Sequence, residues 1–321
     1  GTRGTEKRMS LGNAIEVQHV EKTFGSTRAV QDLNIDIPSG SLCGFLGPNG
    51  AGKSTTIRML MSIIRPDSGS IKVLGGDALA HKDKIGYLPE ERGVYRTMRV
   101  GEFLRFIARL KGIPATGLDD TIHEWLERID LGSSFKQRCE ELSKGMQQKV
   151  QFLASVIHDP ELIILDEPFS GLDPVNGMLL NSIIRELHAE GRTILFSTHV
   201  LHQAERMCDR IVLIDQGQKI LDDTLESIRT RFDPKTITIE PTGDIHSCLA
   251  RVEAIDGIDR TWLDDDGVVH ATFQSSIEQS AAMRLIVQAV DARRIEHGRA
   301  TLGEVFVKLV GHSVEAETTV V

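Results

Sequence analysis

The stretch Gly47-Pro48-Asn49-Gly50-Ala51-Gly52-Lys53-Ser54-Thr55 has the spacing G-x-x-x-x-G-K-[ST], a phosphate-binding loop. Its glycines let the backbone turn so that successive N–H groups point inward. Those groups, with the start of a following helix, attract phosphate oxygens. Lys53 is expected to reach the β- and γ-phosphates of a nucleotide, and the Ser54 hydroxyl to hold Mg²⁺. Further on, the apolar run Leu162-Ile163-Ile164-Leu165 ends in Asp166 and Glu167. Such a run reads as a buried parallel strand delivering two acids at its C-terminal edge. There Asp166 can hold Mg²⁺ through water, and Glu167 can take a proton from an attacking water. Thr193–Thr198 is a second apolar strand, ending at His199. A neutral imidazole at that point can hydrogen-bond the γ-phosphate or the water.

Two further stretches have no partner within one such site. Leu142-Ser143-Lys144-Gly145-Met146-Gln147-Gln148 opens a helix with Val150, Leu153, Ala154 and Ile157 on one side. Its N-terminus is a second anion-attracting end. Ser170-Gly171-Leu172-Asp173-Pro174 is the other stretch. If the second helix end serves the same phosphate, a second copy of the chain is the natural source.

The elements that must position these residues are legible around them. Ser41–Leu46 reads as a strand leading into the loop. Lys53–Ile64 reads as the helix leaving it, with Ile57, Leu60, Met61 and Ile64 at helical spacing. Ala14–Val20 and Ala29–Ile37 read as strands, with Phe24 before Gly25 between them. An aromatic there can stack on an adenine ring through its π face. Arg65–Gly69 stops the helix, and Ser70–Leu74 and Lys84–Leu88 are short strands, the second running into Pro89-Glu90-Glu91. From Val100 to about Ile157 the pattern is helical; His123 and His158 lie in it without a role.

The bulk composition sets the class. The chain has 321 residues, 40% hydrophobic and 26% charged, and a formal net charge of −9. That fits a soluble globular protein of two domains, and the acidity argues against a nucleic-acid partner. No apolar run reaches the ~18 residues of a membrane span. Cys43, Cys139, Cys208 and Cys248 are scattered without a C-x-x-C pair, which points away from zinc and disulfides and towards a reduced, cytoplasmic setting.

Taken together, these motifs resemble the ATP-binding subunit of an ABC transporter. The series Phe24, GPNGAGKS, the loop after Tyr87, LSKGMQQ, LIILDEP, SGLDP and His199 occurs in order, over roughly Ala14 to Leu221. The resemblance implies an α/β P-loop NTPase fold: a RecA-like core sheet, an antiparallel β subdomain and a helical subdomain at about 90–160. It implies ATP and Mg²⁺, and a head-to-tail dimer, of identical or related subunits, sandwiching two ATP molecules. In that arrangement Ser143, Lys144, Gly145, Met146 and Gln147 of one subunit meet the ATP held by the other's Gly47–Thr55. Glu167 is the general base, His199 the switch, and Asp173 signals between the sites. Glu90 stands where the family usually has Gln, beside the metal and the attacking water. It can still ligate Mg²⁺ but adds a negative charge beside the phosphates. Lys144 and Met146 also replace the common Gly and Gln. The resemblance further implies a separate transmembrane permease, docking near Glu90 to Ile113, and a place on the cytoplasmic face of the cell membrane.

Residues 1–13 read as a flexible arm or a remnant of expression, 14–231 as the ATP-binding domain, and 312–321 as a disordered tail. Between them, 236–311 alternates as β-α-β-β-α-β plus one helix, a small ferredoxin-like α+β domain. Asp264-Asp265-Asp266-Gly267 in it reads as a solvated turn. This domain resembles the extension of drug- and sodium-exporter ATPases of the ABC-2 type, which suggests dimer stabilisation or control of activity. A non-transport ABC ATPase acting on ribosomes or DNA is the alternative, as is a regulatory ATP-binding module. The single cassette without sustained heptads disfavours the former, and Glu167 with His199 the latter.

Overall fold

The computed structural model describes residues 12–318 apart from positions 92, 265 and 275, with side chains described up to 310. Two compact units result, 1–225 and 226–321. The division falls at the start of a helix that the sequence assigned to the first domain.

Unit 1 opens with β1 (Asn13–Phe24) and β2 (Thr27–Pro38). The arm expected at 1–13 therefore ends sooner, since Asn13 already belongs to β1; residues 1–11 lie outside the described residues. Next come β3 (Leu42–Leu46), α1 (Lys53–Leu60), β4 (Ser68–Val73) and β5 (Ile85–Leu88). Helices α2 (Val100–Leu110), α3 (Leu118–Arg128) and α4 (Lys144–Val156) follow. The unit closes with β6 (Leu162–Asp166), α5 (Pro174–Ala189), β7 (Thr193–Thr198), α6 (Leu201–Met207), β8 (Arg210–Asp215) and β9 (Gln218–Thr224).

The strands form two sheets. One is antiparallel, in the order β2-β1-β4; the other has six strands in the order β5-β6-β7-β3-β8-β9. Every pair in the second is parallel except β8–β9. The apolar run of β6 is fully buried, as expected of a strand covered on both faces. One core joins the sheets: Ile15, Val17 and Val30 of the antiparallel sheet cluster with Ile57 of α1 and with Phe45, Ile164 and Val212 of the central sheet. On the opposite face α4 lies close over β5. A Cβ at Gly86 would overlap the backbone oxygen of Ser155.

That closeness has an electrostatic counterpart. The Ile85 carbonyl accepts from Lys111 Nζ at 2.8 Å and from His158 Nε2 at 3.1 Å. Burial, then the Lys111 charge, lowers the His158 pKa to about 4. The unfolded chain, with an ordinary histidine value near 6.5, therefore binds the proton first. The stabilisation is present above about pH 6.5 and is lost as pH falls towards 4. In His158→Gln, which keeps a donor but does not titrate, the stability lost between pH 7 and pH 4.5 should shrink by about 2 kcal/mol. Urea unfolding at the two pH values measures it, and equal losses in both proteins would contradict it.

Unit 2 contains α7 (Leu225–Arg231), β10 (Thr236–Pro241), α8 (Ile245–Glu253), β11 (Ile258–Leu263), β12 (Val269–Phe273), α9 (Gln279–Ala289), β13 (Ala292–His297) and α10 (Leu302–Thr318). Its sheet order, β11-β12-β10-β13, is antiparallel throughout and gives the α+β class read from the sequence. Ile237, Ile239, Val269 and Ala271 pack against Val252 and Ile286 of the helices. Asp264 organises its turn, accepting from the Asp266 and Val268 amides and from the His270 ring; Asp265 lies outside the described residues. Helix α10 continues past 311 to Thr318, because the tail expected at 312–321 contains no Gly or Pro to stop it. Residues 319–321 lie outside the described residues.

Candidate active site

Four neighbouring parallel strands deliver the candidate residues along one sheet edge. β5 leads to Glu90, β6 ends at Asp166 and Glu167, β7 ends before His199, and β3 runs into Gly47. Open α/β sheets bind ligands at this carboxyl edge. A cleft of about 700 Å³ opens there, lined by Asn49, Gly50, Gly52, Lys53, Ser54, Thr55, Glu90 and Glu167. The sequence motifs therefore converge.

Lys53 is buried, and its ammonium donates to the loop's own carbonyls, Gly47 O at 2.6 Å and Pro48 O at 2.9 Å. Burial lowers its pKa, while Glu167, Asp166 and Glu90 act in the opposite sense. Asp166 lies beneath the cleft, 2% exposed. Burial raises its pKa, opposed by hydrogen bonds from the Ser197 and Ser54 hydroxyls. A buried carboxylate with a hydroxyl beside it is a hard, all-oxygen donor pair that suits Mg²⁺, which takes one or two carboxylates and completes its shell with water and phosphate. Among the described residues no group of three His, Cys, Asp or Glu is arranged to hold a metal ion by itself, and a site of that kind does not need one.

Glu167 sits in the left-handed region, φ 49°, a conformation that costs a non-glycine residue about 1–3 kcal/mol and needs support. The support is visible. Its N–H meets the Ser197 carbonyl at 3.2 Å and hydroxyl at 3.3 Å. Its Oε1 accepts from the His199 amide at 3.1 Å and lies 2.8 Å from His199 Nδ1. A carboxylate only accepts, so Nδ1 is the donor in this contact.

Other predicted residues lie elsewhere. Phe24 is 50% exposed at the end of β1, with Lys22 Nζ 5.3 Å from its ring centroid. It does not line the cleft, but Thr27, its partner in the hairpin, does. Ser143 caps α4, accepting from the Met146 amide at 3.2 Å, and Gln147 donates to Cys139 O and Leu142 O. Lys144 and Gly145 begin the same helix; none of these five borders the cleft. Asp173 caps α5 through the Val175 and Asn176 amides, both at 3.0 Å. Sequence reading missed the opposite wall, Ser26–Ala29, Gln31 and Gln216. It is tied to the phosphate loop through Gly217 N to Ala51 O at 3.0 Å and Gln31 Nε2 to Gln216 O at 2.9 Å, contacts between distant segments without a local pattern.

The ABC transporter family model matches residues 30–170. Over 92% of this chain and 98% of the relative, the sequence is 39% identical to the Bacillus subtilis (strain 168) ABC transporter ATP-binding protein YhaQ, itself uncharacterized. The chain belongs to the ABC transporter ATP-binding proteins. Another relative of this ABC protein is the daunorubicin/doxorubicin resistance ATP-binding protein DrrA of Streptomyces peucetius, 31% identical over 95% of both chains. Among solved structures, an ATP-binding subunit of an ABC transporter superposes with a TM-score of 0.64 at 31% identity, covering 68% of this chain and 93% of the other. The ABC protein is thus an ATP-hydrolysing transporter subunit. Membership implies a membrane permease and a dimeric assembly. No helix among its described residues is long and apolar enough to cross a membrane.

Proposed function

We propose that two copies of this subunit, or one copy and a related subunit, close head to tail around ATP and drive a separate permease that exports its cargo. The observation that carries the reading is the arrangement of Glu167. Its carboxylate lines the cleft beside Lys53, held by His199, while Ser143 and Gly145 stand outside that cleft. One chain therefore holds the base and the phosphate loop together, and its second helix end is free for a partner's nucleotide.

In the closed pair Lys53 and the Gly47–Thr55 amides bind the β- and γ-phosphates, Phe24 stacks at the rim on adenine, and the partner's α4 end covers the γ-phosphate. Mg²⁺, held by Ser54 and Asp166 with Glu90 nearby, would neutralise phosphate charge. Glu167 takes a proton from water as the water oxygen bonds to the γ-phosphorus; the bond to the ADP oxygen breaks and phosphate leaves. His199 holds Glu167 through Nδ1–H, and its ring reaches towards the γ-phosphate or the attacking water. Asp173 links the two sites. Export rests on the resistance relative and on the ferredoxin-like unit, which serves dimer stability or control in an ABC-2-type exporter. The subunit then works at the cytoplasmic face of the membrane.

Ser143→Arg tests the shared site. Arginine at the α4 end should leave ATP binding to the separate subunit unchanged, since Ser143 does not border the cleft. Hydrolysis should fall by about 10²-fold, as for removal of a transition-state contact. Wild-type turnover in this variant would refute the head-to-tail arrangement.

A further inference from the structure

Helix α4 buries two amide side chains that the phosphate chemistry does not require. Gln148 is 3% exposed and Gln151 5% exposed, and at i, i+3 they lie on one face. Gln148 Nε2 donates to the Pro168 carbonyl at 3.1 Å, the residue after Glu167. Gln151 Nε2 donates to Glu91 O at 3.0 Å and reaches Pro89 O at 3.4 Å, the residues on either side of Glu90. One helix thus grips the backbones of both loops that bring carboxylates to the cleft. Burying an amide is unfavourable unless it is bonded; Gln151 Oε1 has no partner among the described residues, so its two donor contacts must offset a cost that an aliphatic side chain would not carry. The donors are what distinguishes glutamine here.

The grip on the Glu90 loop is the more consequential. At the other end of β5 the same helical layer is already clamped, by Lys111 and His158 on Ile85 O and by the close approach of Ser155 to Gly86. The loop after β5 has a second polar tie, Arg58 to Glu91 at 3.7 Å, but an exposed ion pair contributes little. Gln151 is thus the buried side chain that ties this loop to α4 among the described residues. The same helix begins at Ser143, two turns away, so a shift of its N-terminus passes along a rigid rod to the peptides around Glu90.

The geometry points to Gln151 as a positioning residue that fixes where the Glu90 carboxylate stands in the cleft. This rests on the proposed function in taking Glu90 as a carboxylate on the metal side of the nucleotide. Gln151→Met, of similar volume and without a donor, should speed amide hydrogen exchange in peptides covering 88–94 by roughly threefold or more, and leave peptides covering 46–56 unchanged. The Mg²⁺ concentration for half-maximal ATP hydrolysis should rise about tenfold, as when an outer partner of a metal ligand is removed. In a Glu90→Ala background that rise should vanish, because Gln151 acts through Glu90. Gln151→Leu is a second donor-free variant, and thermal unfolding identifies which of the two is folded. Unchanged exchange over 88–94, or an equal Mg²⁺ shift with and without Glu90, overturns the assignment. If Glu167→Gln left turnover intact, the reading of the cleft would fall while the exchange result still decided the role of Gln151.

Discussion

Glu167→Gln is expected to lower ATP turnover by about 10²–10⁴-fold, the usual worth of a positioned general base, while ATP binding is retained. The amide is isosteric and its oxygen can still accept from the His199 N–H, so the φ 49° turn at Glu167 keeps its support. It cannot take the water proton. Binding should not weaken, because the substitution removes one of three carboxylates facing Lys53 and with it a negative charge near the triphosphate. With hydrolysis blocked, the ATP-bound pair has no exit, and sedimentation at saturating ATP should show dimers where the nucleotide-free protein shows monomers. Unchanged turnover would remove Glu167 as the base. A monomer throughout would remove the shared site.

Gly52→Ala is expected to abolish nucleotide binding, weakening it by more than about 10²-fold, and to destabilise unit 1 by roughly 3 kcal/mol. Gly52 caps α1 at φ 101°, a region side chains avoid. A Cβ there would also overlap the Ala29 carbonyl oxygen. Ala29 lies within β2, which is paired to β1, so the obstacle cannot step aside without breaking the antiparallel sheet. Gly50 supplies the contrast. Its φ is 82°, yet a Cβ there meets nothing within 4 Å, so Gly50→Ala should cost only about 1 kcal/mol of backbone strain. Calorimetric ATP titration and urea unfolding of both variants separate the two cases; equal behaviour would mean the Ala29 contact is unimportant.

The candidate residues that the fold gathers at the cleft were legible because each sits beside a local pattern. The glycine loop lies between an apolar strand and a helix, and Asp166 with Glu167 ends a run that only a doubly covered strand tolerates. What the sequence hid were contacts between distant segments. Nothing near Gln151 announces that its amide meets Pro89 and Glu91, more than fifty residues back, and a buried glutamine on a helix looks like any polar position. Phe24 stands apart from the cleft lining, exposed at the end of β1, and reaches it only through its hairpin partner Thr27. The division between the units falls at α7, which follows β9 without a Gly or Pro to mark it.

Lys53 already bonds two carbonyls of its own loop. On the proposed reading, arrival of a nucleotide is then an exchange of partners on that ammonium, phosphate oxygens taking the place of two loop carbonyls.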